Sequence, residues 1–221
     1  MRLLSIPLLL AMTASASAVT LGQIDDFEDG TTQNWVANLL GLGGGHPAPP
    51  ANVPDGGPLG AGDAYLGLTS FGGIGAGGRM VTLNITQWSG DYVAAGVTGL
   101  AMNLNNMGNT ALDIRILIEK VGASGPTDIA TSAPIHLEPG RGWTSANFSL
   151  ALADLTTLLG DKSVALSSAS AIRIYHNPGL GFPGPASAAQ LGVDNIQAVP
   201  EPTTVVALVV GTVGLLRRRK R

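Results

Sequence analysis

Apolar and polar residues alternate along much of the central chain, with a period of two. Residues 111–120 show it most cleanly. Leu112, Ile114, Ile116 and Ile118 fall on one face, and Asp113, Arg115, Leu117 and Glu119 on the other. Successive strand side chains point to opposite sides of a sheet, so this spacing predicts a half-buried strand. The same pattern predicts strands over 97–104, 171–176 and 190–199. Shorter runs near 24, at 64–68, 79–85, 129–137 and 143–150 bring the set to eight or nine. A short helix is expected at 154–159, with Asp154 as its N-cap. Glycine (31 residues) and proline (14) punctuate these runs. Residues 39–62, with Gly43-Gly44-Gly45 and Pro49-Pro50, read as one long loop. No internal repeat is visible. Many short strands separated by turns predict an all-β, antiparallel jelly-roll β-sandwich.

Both ends of the 221-residue chain depart from this pattern. Arg2, an apolar stretch and Ala16-Ser17-Ala18 read as a secretory signal peptide over residues 1–18. Residues 19–198 then form one ectodomain. Residues 199–221 open on Pro200, Glu201 and Pro202, a stiff extended break. Thr203 to Leu216 follows as an uncharged run, and Arg217, Arg218, Arg219, Lys220 and Arg221 close the chain. An apolar run before a basic cluster reads as a transmembrane helix with a cytoplasmic end. Its fourteen residues span ~21 Å as a helix, short of the ~30 Å hydrocarbon core, which favours a transient anchor.

Proline-glutamate-proline, a short hydrophobic helix and a basic terminus, in that order, resemble the PEP-CTERM sorting signal of Gram-negative bacteria. The resemblance implies an exosortase as processing partner, passage through the inner membrane, and delivery to the cell surface or extracellular matrix.

Charge narrows the partners of the middle. Six of the 12 basic residues are Arg2 and the terminal five, and of the 15 acidic residues only Glu201 lies outside 19–199. That segment carries fourteen acidic and six basic residues, a net of −8. A phosphate backbone is repelled by such a domain, so nucleic acid is excluded as a partner. The absence of cysteine excludes thiol nucleophiles, Cys-ligated zinc and disulfides.

A second resemblance rests on the two ends of the ectodomain. Asp26-Phe27-Glu28-Asp29-Gly30 followed by Trp35, with Gly192-Val193-Asp194-Asn195-Ile196 near the end, resembles a jelly-roll carbohydrate-binding module. In that fold the first and last strands lie together. The resemblance implies structural Ca²⁺, with Glu28 and Asp194 as carboxylate ligands and Asp26, Asp29 and Asp63 as further oxygen donors. Short local turns are the other reading of these aspartates. Glycan binding needs an aromatic platform with polar neighbours. Trp88 and Tyr92, with Asp91, are the first candidates. Tyr175, His176, Asn177 and Phe182 are the second. Trp35 and Trp143 read as core. His46, His136 and His176 show no metal-ligand spacing, and no nucleophile elbow is present.

The expected function is non-catalytic binding of exopolysaccharide or another glycan by an exported matrix protein. An adhesive protein that contacts other proteins through the 39–62 loop is the alternative, and a glycan-active enzyme the weaker one.

Overall fold

The computed structural model describes residues 18–37 and 46–200. Residues 1–17, on which the expected signal peptide falls, residues 38–45, and residues 201–221, on which the expected sorting tail and transmembrane helix fall, lie outside the described residues.

Twelve strands and one short helix follow the alternation closely. They are β1 (Ile24–Asp25), β2 (Ala51–Val53), β3 (Tyr65–Phe71), β4 (Val81–Asn84), β5 (Gly99–Asn106), β6 (Leu112–Gly122), β7 (Gly125–Thr131), β8 (Ile135–Leu137), β9 (Thr144–Ser149), β10 (Thr156–Leu159), α1 (Lys162–Ser167), β11 (Ala171–His176) and β12 (Ala188–Val199). One sheet has the order β2-β3-β12-β5-β9, with β1 also beside β12. The other has the order β10-β7-β6-β11-β4, with β8 also beside β6. All pairings are antiparallel. This is a jelly-roll sandwich, as the strand pattern predicts. The first and last strands pair, through Ile24 with Gln197 and Asp25 with Ile196.

The core lies between the sheets. Leu66, Leu68, Leu100, Met102, Leu104, Val193 and Ile196 from the first sheet meet Ile114, Ile116, Ile118, Ile172 and Ile174 from the second. Each removes about 1.5–3 kcal/mol worth of apolar side chain from water.

Four expectations are corrected. Residues 156–159 are strand β10, not helix. Asp154 accepts a hydrogen bond from Ser149 Oγ at 2.6 Å instead of capping. β-branched Thr156 and Thr157 suit a pleated edge, and the helix begins after Gly160, capped by Asp161, whose Oδ1 accepts from Ser163 N at 2.7 Å. Residues 129–137 split into β7 and β8 rather than forming one strand. The long loop is not wholly irregular, because β2 pairs with β3 inside it. Finally, β6 is buried on both faces, with Arg115, Leu117 and Glu119 all buried. Phe182 helps roof that outer face. Its ring stacks edge-on to Tyr175, with centroids 5.5 Å apart, and lies 5.0 Å from the Arg173 guanidinium carbon. Beneath it Arg173 pairs with Glu119 at 2.5 Å.

Candidate functional site

The tryptophan and tyrosine of the expected platform are core residues. Trp88 and Tyr92 are both 0% exposed. Trp88 Nε1 donates to Asp25 Oδ2 at 2.6 Å, and Trp35 Nε1 donates to the same oxygen at 2.8 Å. Gln87 Nε2 adds a third bond at 3.1 Å. Tyr92 Oη donates to the Trp88 carbonyl at 2.8 Å, and burial pushes its pKa up. Asp91 is exposed and caps its own turn, accepting from Ala94 N at 2.9 Å. A sugar has no ring face to stack on here. The loop around Trp88 carries too few apolar neighbours in sequence to reveal this burial, because its core contacts come from other strands. Burial also pushes the Asp25 carboxyl above the ordinary carboxylate range, with the three N–H donors opposing that shift.

The second candidate set is also structural. Tyr175, His176 and Asn177 are buried. His176 Nδ1 accepts from Asp113 N at 2.9 Å, and burial lowers its pKa. His136 is exposed, between Asp113 and Glu138 at 3.0 and 3.1 Å, and these carboxylates raise its pKa.

An aromatic pair does reach solvent, on the outer face of the first sheet. Tyr65 and Trp143 meet edge to face, with ring centroids 5.2 Å apart. Both are half-buried. Trp143, expected in the core, instead lies over Gly192. A Cβ at that position would come within 2.8 Å of the indole, so only glycine lets the ring settle against the strand. The Trp143 Nε1 donates to Gly56 O at 2.9 Å, tying the pair to the loop before β3. Tyr65 Oη sits 3.6 Å from Met107 Sδ, and burial raises its pKa, so it stays a neutral donor. Register places Gly67, Gly192 and Asn105 in one row across β3, β12 and β5. Asp194, Asn103 and Ser145 form the next. Further along β3 on the same face, exposed Phe71 borders a groove shared with Thr69, Asn109 and Gln190. The surface is therefore a long track, uncharged except for Asp194, with an aromatic pair at one end and a single ring at the other. Strict alternation along 65–71 signals it in the sequence: Tyr65, Gly67, Thr69 and Phe71 share a side.

The expected calcium ligands gather beside this track. Phe27 has φ 59° and is 0% exposed, so the chain buries the ring while its acidic neighbours stay near the surface. Glu28 Oε1 accepts from Ala64 N at 2.9 Å. Asp26 Oδ1 accepts from Glu28 N at 3.3 Å. Asp63 Oδ2 accepts from Leu59 N at 2.6 Å. Asp29 instead closes its own turn with Thr31 N and Oγ1, both at 2.8 Å. Asp194 lies at a β-bulge where β12 shifts register on β5 and Asn195 takes φ 52°. Its carboxylate accepts from Asn195 N at 2.7 Å and Asn195 Nδ2 at 2.8 Å. Asp194 is 1% exposed, and its pKa is pushed up to about 7, first by burial and then by Asp63, Glu28 and Asp26. Among the described residues no Lys, Arg or His pairs with any of these four carboxylates. Nor do three His, Asp or Glu side chains converge in a metal-ligating arrangement among the described residues.

Comparisons with known proteins agree with this architecture. No protein-family model matches the chain, and no curated protein is significantly similar to it. Among solved structures it is similar to a family 11 carbohydrate-binding module from Clostridium thermocellum, in complex with a β-1,3-1,4-mixed-linked tetrasaccharide. The TM-score is 0.53 at 16% identity, covering 82% of this chain and 97% of that one. It is similar also to an exo-β-agarase, with TM-score 0.55 and 15% identity, covering 82% of this chain and 25% of that chain. At these identities the likeness is one of fold. Among the described residues, no helix is long and apolar enough to cross a membrane.

Proposed function

We propose that the outer face of the β3-β12-β5-β9 sheet binds an extended neutral glycan, an exopolysaccharide in an exported setting, without catalysis. The observation that carries this reading is the Tyr65–Trp143 pair on a glycine floor, flanked by Asn103, Asn105 and Ser145. Aromatic rings stack on the apolar faces of sugars, and amides and hydroxyls orient the sugar hydroxyls. The likeness in fold to a carbohydrate-binding module supports it. Glycoside hydrolysis uses two carboxylates flanking the bond. The outward positions of these strands offer one, Asp194, and it is held by Asn195.

Affinity electrophoresis of the full-length chain against neutral and acidic polysaccharides tests the reading. Retardation by a neutral glycan is expected, and Trp143→Ala should weaken it roughly 5- to 150-fold in affinity, if a ring stacked on a sugar contributes the ~1–3 kcal/mol that one stacked on a nucleobase does. Normal folding without retardation on any glycan would sink the proposal.

The same setting supports a structural Ca²⁺ at Glu28 and Asp194, with Asp26 or Asp63 close by. The donor chemistry suits a hard cation in that none of these carboxylates has a paired base among the described residues, but no three of the side chains converge as they stand, so they would have to swing toward the ion. Backbone carbonyls would supply the remaining oxygens. Bound there, Ca²⁺ would supply charge compensation and no reaction chemistry. Through it Glu28, in the turn after β1, would be joined to Asp194, within β12.

Export and exosortase processing belong to the same proposal and rest on residues 1–18 and 199–221. Val19 N donates to the Ser89 carbonyl at 2.8 Å, a bond that an ammonium left by cleavage after Ala18 would keep. Mass spectrometry of the mature protein should find Val19 at the N-terminus and loss of the chain beyond the Pro200-Glu201-Pro202 region. A mature protein that retains Arg217 to Arg221 would refute processing.

A further inference from the structure

The outermost strands of a sheet carry unpaired N–H and C=O groups, and proteins usually blunt them with prolines, charges, bulges or short length. Six strands have a single strand neighbour, and five of them are blunted, β1 and β8 by lengths of only two and three residues. β2 has three residues between Pro50 and Pro54. β10 has four, with a register shift between Thr157 and Leu159 and aspartates at positions 154 and 161. β4 is covered by Val36, which exchanges two 2.9 Å bonds with Leu83. β9 carries no proline, bulge or charge within its own length, and the one charge beside it is Asp154, bonded to the Ser149 side chain at its end. It pairs with β5 over six residues without a register shift. No charged residue or proline occurs from Gly142 to Ala153.

The register decides which groups face outward. Leu150 N donates to Thr98 O at 2.8 Å. In an antiparallel ladder bonded and non-bonded pairs alternate, so Thr144, Ala146 and Phe148 bond to β5. Ser145, Asn147 and Ser149 then direct their N–H and C=O to the open edge. All three are exposed, and among the described residues no backbone partner meets them.

We propose that this edge pairs with the β9 edge of a second copy of this chain, antiparallel, with a two-fold axis at Asn147. That register sets Asn147 opposite Asn147 and Ser145 opposite Ser149. The contact is self-complementary: small, polar and uncharged on both sides, on a domain whose net charge of −8 would otherwise keep copies apart. The two first sheets become one continuous sheet. The Trp143 rings of both copies then lie on a single surface, which would add avidity toward any repeating polymer bound there.

The test is the mass of the full-length chain by light scattering over a concentration series. A dimer is expected. Asn147→Lys and Asn147→Glu each place like charges directly opposite across the axis and should halve the mass at the same concentration. An equimolar mixture of the two should recover the dimer, because opposite charges then face each other. Asn147 is exposed, and unchanged circular dichroism of both variants checks that folding is intact. A wild-type chain that stays monomeric throughout overturns the proposal. So does a dimer that both variants preserve, or a failure of the mixture to associate.

Discussion

Trp88→Ala is expected to unfold the domain, not to weaken a ligand. The side chain is 0% exposed, and its indole lies 6.4 Å from that of Trp35, centroid to centroid. Truncating a buried tryptophan costs ~3–5 kcal/mol through lost transfer energy and the cavity left behind. The indole N–H also helps to hold a buried carboxylate. Removing it takes the 2.6 Å donor from Asp25, whose burial already disfavours its charge. Loss of a hydrogen bond to a charged group adds ~1.5–3 kcal/mol. Against a typical total of ~5–15 kcal/mol, the sum leaves little or nothing. Thermal or urea unfolding checks this, with Trp143→Ala as the contrast. Trp143 is half-buried on the outer face, and its loss should leave the unfolding midpoint much nearer the wild type. If Trp88→Ala melts normally, the Asp25 knot does not hold the first strand in place.

The contrast between the two tryptophans shows what periodicity can and cannot reveal. Inside strands, alternation sorted residues well. Leu112, Ile114, Ile116 and Ile118 do face the core, and β11 falls on residues 171–176 as the pattern requires. Trp88 lies outside any strand, where no period applies, whereas Trp143 opens the 143–150 run, whose alternation sets it on the outer side with Ser145, Asn147 and Ser149. Their fates depend on contacts distant in sequence: Asp25 for Trp88, and Gly192 with Gly56 for Trp143. Glu119 misled for a related reason. Alternation assigned it to the solvent side of β6, but the 178–185 segment folds back and Arg173 pairs with it, so the strand is buried on both faces. The acidic ends were legible because the Asp26 to Gly30 turn and the Val193-Asp194-Asn195 stretch sit on strands that the fold makes neighbours. What brings Asp63 to them, the turn held by Leu59 N and Gly57 N, carries no signal beyond glycines and a proline.

Those clustered acids make a second large effect testable. In chelator the folded chain should lose stability as pH rises from about 4 to 7. Asp194 has a folded pKa of about 7 against an ordinary value of 3.8. Between those values the folded state holds a proton that the unfolded state has released. Stability then falls with rising pH, because it rises only where the unfolded state binds more protons. Full expression of that displacement would be ~4 kcal/mol at 1.36 kcal/mol per unit, and solvent screening brings the expected fall to roughly half of that. Urea unfolding at pH 5 and pH 8 would read it. Asp194→Asn keeps the shape and removes the charge. It sacrifices one of the two bonds from Asn195, about 1 kcal/mol at all pH values, but should remove Asp194's share of the pH dependence and leave the smaller share of Asp25, whose carboxyl burial also raises. Calcium at pH 8 should restore the wild type and leave Asp194→Asn unmoved, since a cation replaces the proton in compensating the buried carboxylate. A pH dependence that survives undiminished in Asp194→Asn would assign the effect to another group. A wild-type chain indifferent to calcium at pH 8 would reject the metal site while leaving the glycan-binding face untouched.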